Sequence, residues 1–391
     1  MKKIISIILV SLILNSCFLV SDDNKSDFPF QNNKDLKFKE LKNKDIYESI
    51  SLSVNWFKSI QKEDGRLVYQ INPVDNIVSN DENFVRQAGT FFAITEFYKR
   101  DLSNKFDLDS LIRNYALFFK NNSLNSSYKS KSFSCVADEN GVCSIGTTAL
   151  SMIALINYSS RNTQFYDDYR ELIESFNDYL LAMRIENAGF IAKFTPNKNP
   201  ELVESSFYNG EAFLALAKYY NFTLNNDVLN EIFDLWPYLR ESYINSLDSN
   251  FYLWGMLALK ELKYLIPVED FLPFVSLYTK ARVKSFERYR NNDQAFCGFL
   301  EGLSASVYLF KFVNDKDLFT LYNRELSFWL QKIDKLQIKT DEIFDFKIKN
   351  LRNSLGAFIV SSEDPTIRID YTQHCLNGYL IKFVDIDENS I

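Results

Sequence analysis

The sequence has few of the residues on which metal sites and β-rich folds depend. It contains one histidine, His374, with five cysteines, 11 glycines and 8 prolines among 391 residues. A zinc site needs several Cys or His ligands close together, so no metal site is predicted. The scarcity of glycine, proline and alternating β-branched runs argues against a sandwich or propeller and favours a mostly helical protein. No phosphate-binding loop is present either, and no cofactor is expected.

Basic residues are fewer than acidic ones. The chain has 44 Lys and Arg against 51 Asp and Glu, a formal net charge of −7, and the basic residues form no cluster. This balance argues against nucleic acid as a partner. Hydrophobic residues make up 46% of the chain, which is enough for a large globular core.

The first 45 residues are predicted to lie outside the folded domain. Lys2 and Lys3 precede an apolar run over residues 4–14, which is too short for a permanent membrane span and typical of a secretory signal. The run ends at Leu14-Asn-Ser-Cys17, which resembles a bacterial lipoprotein signal. This resemblance implies removal of residues 1–16 and lipidation of Cys17. Residues 18 to about 44 are rich in Asp, Asn, Lys and Ser and have no sustained period, which indicates a flexible tether over 17–45. The expected partner is therefore a lipid bilayer of the bacterial cell envelope, at the outer membrane or cell surface rather than in the cytoplasm.

The other four cysteines form two pairs of different character. Cys135 and Cys143 lie eight residues apart in one polar loop, and an oxidising envelope compartment favours a local disulfide between them. Cys297 and Cys375 lie near the starts of two apolar helices. They are either buried free thiols or a disulfide between those helices.

Two kinds of helix alternate from residue 46 onwards. Amphipathic helices are predicted at about 46–62, 107–122, 166–184, 227–244, 269–288 and 316–334. More uniformly apolar helices, rich in small residues, begin near Arg86, Ser144, Tyr208, Phe251, Ala295 and Ile369. A helix that is apolar on every side needs neighbours all round. We therefore predict a single all-α domain over residues 46–391, an (α/α)6 toroid of six hairpins with amphipathic helices outside.

The connections indicate which end of the ring is open. Those leading into the inner helices, such as 63–83, 123–143, 185–205 and 335–367, are long, whereas those leading out are short. Long loops gathered on one face usually carry function. We expect a cleft there, bordered by short turns and strands such as those predicted at 64–69 and 187–194.

The hairpin order and three local phrases resemble a known superfamily. Arg86-Gln-Ala-Gly, Tyr208-Asn-Gly-Glu-Ala and Arg368-Ile-Asp-Tyr-Thr-Gln-His look like the six-hairpin glycosidase-like toroids. That superfamily includes glycoside hydrolases, sugar epimerases and polysaccharide lyases, and the likeness covers about residues 46 to 385. It implies the ring fold but is unspecific for the reaction, because the same ring serves many chemistries. No catalytic motif of a single enzyme family is complete, so no catalytic residue follows from the resemblance.

Polar residues at the starts of the inner helices are the candidates for function. Carboxylates and an imidazole suit acid/base chemistry on a sugar, and the candidate catalytic residues are Glu211, Asp370, His374, Glu82 and Asp293. Aromatic faces stack on sugar rings while amides and guanidinium groups bind hydroxyls, and the candidate substrate-binding residues are Arg86, Gln87, Tyr208, Tyr252, Trp254, Tyr371 and Gln373.

Structural roles compete with each of these assignments. Acids near a helix start stabilise the helix dipole, and Glu211 could form a buried ion pair with Arg86. His374 follows Asp370 by four residues on the same helical face, so the two could form a catalytic pair, or His374 could be a satisfied interior histidine. The aromatic residues could be core. Two functions follow: a carbohydrate-active enzyme, hydrolase-like or epimerase-like, or a surface lipoprotein that binds a glycan, peptide or protein without catalysis.

Overall fold

The computed structural model describes residues 40–100 and 105–389. The proposed signal, Cys17 and nearly all of the tether lie outside them. Twelve α-helices are found in the described part. Six are outer helices: α1 Asn43–Ser59, α3 Asp109–Asn121, α5 Thr163–Ala182, α7 Asn226–Ser246, α9 Val268–Phe286 and α11 Lys316–Asp334. The six inner helices are α2 Phe84–Arg100, α4 Ile145–Ser159, α6 Ser206–Thr223, α8 Ser249–Leu262, α10 Cys297–Phe312 and α12 Ile369–Leu380.

The inner helices form a closed ring. Each packs against the next in chain order, and α12 packs against α2 to complete the circle. The outer helices pack around this ring. The predicted (α/α)6 toroid is confirmed, and its six hairpins fall where the two helix patterns alternate in the sequence.

Burial explains why the two sets of helices differ. Every residue of α4 is buried, and α6 is buried continuously from Asn209 to Tyr219. Small residues in these helices allow close approach on all sides, which a ring of six neighbours requires. An outer helix such as α11 buries one face only and exposes charged residues on the other.

Short strands border the open end of the ring. They are β1 Gln70–Asn72, β2 Ile77–Val78, β3 Ser123–Tyr128, β4 Lys131–Val136, β5 Cys143–Ser144, β6 Lys193–Phe194, β7 Glu342–Ile343, β8 Phe346–Lys347 and β9 Ile367–Arg368. All nine belong to connections that lead from an outer helix into an inner one. The antiparallel sheet β2-β1-β9 joins the first of these connections to the last. The two-residue connection between α7 and α8 is an exception to the predicted long loops.

Ion pairs occupy the opposite end of the ring, where the inner helices finish. Lys218 Nζ lies 2.5 Å from Glu96 Oε1 and 3.1 Å from Glu261 Oε1. Arg100 pairs with both Glu96 and Asp385. Basic side chains are favourable at helix C-termini, where the helix dipole is negative. The side chains of these ion pairs surround only a narrow space of about 10 Å³.

Two disulfides lie in the described part of the chain. One joins Cys135 to Cys143 in the connection between α3 and α4, and the other joins Cys297 on α10 to Cys375 on α12. Among the residues that the structure describes, no helix is long and apolar enough to cross a bilayer.

Candidate functional site

A cavity of about 1160 Å³ lies at the amino-terminal ends of the inner helices. We call it the central cavity. Residues of α2, α6, α8 and α12 form its base, and the connections around 138–142 and 192–205 form part of its wall. Seven of the candidate residues line it: Arg86, Tyr208, Glu211, Trp254, Asp370, Gln373 and His374. The fold therefore brings together polar side chains that are up to 288 residues apart in the chain.

Asp370 is held between two arginines. Arg368 binds it with Nε 2.5 Å from Oδ1 and Nη2 2.8 Å from Oδ2, and Arg86 Nε lies 3.1 Å from Oδ2. Arg86 also donates to the hydroxyl of Tyr69. Two cations around one carboxylate leave a net positive charge at the base of the cavity. The sequence offered Arg86 as a partner for Glu211, but the structure pairs it with Asp370.

Glu211 is a buried carboxyl group without a compensating cation. Only 3% of its surface is exposed, and its Oε2 atom has no hydrogen-bond partner among the described residues. Since α6 begins at Ser206, Glu211 lies beyond the first turn and does not cap its own helix. Burial raises the pKa of Glu211 well above the usual value for glutamate. A raised pKa favours the protonated form of the carboxyl, which is the form that a general acid needs.

His374 binds a carboxylate on a neighbouring helix. Its Nδ1 lies 2.7 Å from Oε2 of Glu301, a residue of α10 with no exposed surface. Asp370, the partner that the sequence suggested, forms ion pairs with Arg86 and Arg368 instead. A histidine held through Nδ1 presents Nε2 as its second functional atom.

Aromatic rings accompany these polar groups. The indole of Trp254 lies 5.8 Å from the imidazole of His374, between ring centroids, and Tyr208 is half-buried beside Glu211. The hydroxyl of Thr90 lies 2.9 Å from the backbone oxygen of Arg86 and 3.1 Å from Oε1 of Gln373, so these two oxygens share its proton. Flat apolar faces next to hydrogen-bonding groups suit a sugar ring, which has both surfaces.

Five of the candidates lie outside the lining of the central cavity. Glu82 pairs with Lys62 and Arg66, and Asp293 is a partly exposed residue 3.8 Å from Lys332. The buried amide of Gln87 binds the backbone of Leu67 and the hydroxyl of Tyr115. The remaining two are Tyr252, whose hydroxyl lies 3.1 Å from that of Ser306, and Tyr371, which packs under the guanidinium of Arg368.

Two residues of the site were not among the candidates. Arg368 stands in the phrase that suggested the superfamily, two residues before Asp370, and could have been noted there. Glu301 is an acid inside an apolar helix, which is the same signal that singled out Glu211. Within residues 40–100 and 105–389, no group of three or more His, Cys, Asp or Glu side chains is placed to hold a metal ion.

Comparison with known proteins identifies relatives by fold alone. No protein-family model matches the sequence, and no curated protein matches it significantly. Among solved structures, a GH76 α-mannanase from Bacteroides thetaiotaomicron is 12% identical with a TM-score of 0.56, covering 88% of this chain and 96% of the mannanase. Cellobiose 2-epimerase from Bacillus thermoamylovorans is 10% identical with a TM-score of 0.58, covering 87% and 98%.

A third similar structure has another activity in its name. An unsaturated glucuronyl hydrolase from Streptococcus agalactiae is 10% identical with a TM-score of 0.57, and the match covers 89% of this chain and 94% of that one. At such identities the likeness establishes the (α/α)6 toroid. It leaves the reaction to be argued from the side chains in the central cavity.

Proposed function

We propose that this protein is a carbohydrate-active enzyme that carries out acid/base chemistry on a saccharide in the central cavity. The observation that carries the proposal is the convergence of Glu211, a buried carboxyl with a raised pKa, and His374 on one cavity. An acid and a base with different environments are what proton transfer in both directions requires. The similar structures, a mannanase, an epimerase and a glucuronyl hydrolase by name, support a sugar as the substrate.

Glycoside hydrolysis is the reaction we favour. Glu211 donates its proton to the glycosidic oxygen as the bond to the anomeric carbon breaks, and His374 accepts a proton from the water that attacks that carbon. The products are two sugars with free hydroxyls. A subsequent proton transfer through solvent restores both side chains. Asp370 is engaged by two arginines, so we assign this cluster to binding of sugar hydroxyls.

Matched variants test the proposal. We expect purified protein to cleave at least one member of a panel of bacterial and host glycans. Glu211→Gln and His374→Gln are expected to lower turnover by about 10² to 10⁴-fold, because each removes one proton-transfer group at similar side-chain volume. Asp317→Asn, on the exposed face of α11, is the control and should retain activity. Unchanged turnover in both cavity variants would refute the assignment.

A non-catalytic role is the second candidate. It is favoured by the engagement of both Asp370 oxygens, which makes the Arg86–Asp370–Arg368 cluster a fixed binding surface. A glycan array separates the two functions. Binding of a glycan without turnover, with the same affinity in Glu211→Gln, would support a receptor rather than an enzyme.

We also propose attachment to the cell envelope through a lipidated Cys17. The apolar run that ends at Leu14-Asn-Ser-Cys17 supports this. Cys17→Ser is expected to abolish labelling with a fatty-acid analogue and to release the protein from the membrane fraction. Labelling that persists in this variant would contradict lipidation at Cys17.

A further inference from the structure

The helices α10 and α12 lie close together beside the central cavity. The disulfide between Cys297 and Cys375 joins the two helices, and Cα atoms of these residues are 4.6 Å apart. Glu301 follows Cys297 by one helical turn, and His374 immediately precedes Cys375. Gly378 lies against the next turn of α10, where a side chain would come within 3.4 Å of the backbone nitrogen of Glu301. The helices are therefore fixed closely together at the level of the imidazole.

Both carboxylate oxygens of Glu301 are bound from α12. Oε2 lies 2.7 Å from Nδ1 of His374, and Oε1 accepts from Nδ2 of Asn377 at 2.8 Å. A fully buried carboxylate is costly unless its oxygens are satisfied by donors. The amide of Asn377 donates to one oxygen, and a proton on Nδ1 of His374 donates to the other oxygen.

The second imidazole nitrogen has a neighbour that can only donate. Nε2 of His374 lies 3.5 Å from the amide nitrogen of Gln373, whose carbonyl oxygen accepts from Thr90. An amide nitrogen has no lone pair to offer, so this weak contact suits an unprotonated Nε2. The contact with Glu301, at 2.7 Å, is the shorter of the two contacts of the ring and favours a proton on Nδ1.

We propose that Glu301 is a positioning residue that holds neutral His374 in the Nδ1-protonated tautomer, with Nε2 free towards the central cavity. The Cys297–Cys375 disulfide maintains the helix separation that this hydrogen bond needs. When Nε2 accepts a proton, the Glu301 carboxylate stabilises the resulting imidazolium. The catalytic consequence rests on the function proposed above, but the tautomer does not.

The wild-type protein alone provides the first test. His374 is the only histidine in the chain, so a spectrum of protein labelled with ¹⁵N-histidine contains a single imidazole to assign. Two-bond ¹H–¹⁵N correlations above the titration range are expected to show a protonated Nδ1 and an unprotonated Nε2. Protonation at Nε2 instead would overturn the proposal, whatever the enzyme does.

A variant of Glu301 tests the positioning role. Glu301→Gln is expected to lower kcat by about 10 to 100-fold with little change in KM, and Glu301→Asp should recover part of the loss. Glu325→Gln is the matched control, because Glu325 is another buried, hydrogen-bonded glutamate but lies on α11 outside the cavity. Equal kcat in Glu301→Gln and wild type would contradict the role. If no saccharide is turned over at all, the proposed function fails while the tautomer measurement stands.

Paired serine variants test the disulfide. In Cys297→Ser/Cys375→Ser we expect the imidazole resonances to move or broaden as the hydrogen bond to Glu301 loosens. Cys135→Ser/Cys143→Ser removes the other cross-link, which lies in the connection between α3 and α4, and should leave them in place. Identical imidazole spectra for wild type and the Cys297/Cys375 variant, with a native circular dichroism spectrum, would refute the part assigned to this disulfide.

Discussion

Glu211 on α6 lies directly against Gly146 on α4, so that its Oε2 atom occupies the space a side chain at residue 146 would fill. The same space is bordered by Tyr208, whose Cδ1 would be 2.6 Å from such a side chain. The absence of a Cβ at residue 146 therefore permits the carboxyl group to be buried beside an apolar wall. That burial raises the pKa of Glu211 well above its usual value.

A methyl group at residue 146 is expected to displace this acid. Gly146→Ala should lower turnover at least 10-fold and destabilise the fold by about 1 to 3 kcal/mol, because the new Cβ overlaps Glu211 in a packed interior. Kinetics on a cleaved glycan and urea denaturation measure the two effects.

Gly298→Ala is the matched control for that substitution. Its Cβ would meet only Leu253, at 3.9 Å, in a helix of the same ring. We expect it to be neutral or to stabilise the protein by up to about 1 kcal/mol through helix propensity. Equal stability and activity of the two alanine variants would show that Glu211 moves away without consequence.

Stability above pH 5 is expected to depend on Glu211. Burial raises its pKa, so the folded state binds more protons at this group than the unfolded state. The stability it contributes is complete below the unfolded pKa and is lost as pH rises through the folded pKa. Glu211→Gln stays neutral, so its free energy of unfolding should fall less steeply as pH rises above the unfolded pKa of glutamate, by on the order of 1 kcal/mol per pH unit.

Urea midpoints for wild type and Glu211→Gln at several pH values provide this measurement. Glu301 also titrates with a raised pKa because of its burial, although His374 opposes the effect. For that reason the difference between the two proteins is the quantity to follow. Parallel curves for wild type and variant would mean that Glu211 is ionised in the folded protein.

The closed end of the ring is expected to depend on Lys218. Burial by itself raises the pKa of Glu96, but Lys218 and Arg100 outweigh it and bring the pKa well below its usual range. Burial by itself also raises the pKa of Glu261, but the charges of Lys218 and Lys260 outweigh it, and the pKa falls to about 2. Lys218→Met would leave these acids undercompensated, at a cost of about 3 to 5 kcal/mol.

A more exposed ion pair provides the comparison for Lys218. Arg240 and Asp270 are each about 40% exposed and pair at 2.9 Å, and Arg240→Met should cost only about 0 to 1 kcal/mol. Lowered carboxyl pKa values give stability above the unfolded pKa that is lost as pH falls through the folded one. Lys218→Met should therefore lose less stability than wild type between pH 7 and pH 3. Thermal unfolding of both proteins at the two pH values measures this difference. An acid dependence equal to that of wild type would contradict this account of the network.

The predicted helices and ring follow from local pattern. The predicted outer helix over 316–334 has the same first and last residues as α11, and the inner helix predicted to begin near Ser144 is α4. The hydroxyl of Ser144 caps α4 by accepting a hydrogen bond from the backbone N–H of Thr147. Apolar periodicity and small residues are properties of a continuous stretch, so the sequence carries them directly. The connection before α8 is only two residues long, and the second of them, Asp248, caps the new helix with its side chain.

The candidate site was predicted only in part, since residue type does not reveal the partner. Asp370 and His374 are four residues apart on one helix, a spacing that allows them to pair. Their actual partners are Arg86 and Arg368 for one and Glu301 for the other. Gln87 had the chemistry of a binding residue, but it points into the interior and satisfies the backbone of Leu67.

By itself, the sequence determined the six hairpins, which helices lie inside, and which end of the ring carries the long loops. These depend on spacing along the chain and on the need of an apolar helix for neighbours on every side. Only the tertiary structure decided that Glu211 lies buried without a cation, that Asp370 lies between two arginines, and that Glu301 holds His374. Such pairings join residues on different helices, and the ring closure that brings those helices together sets each distance.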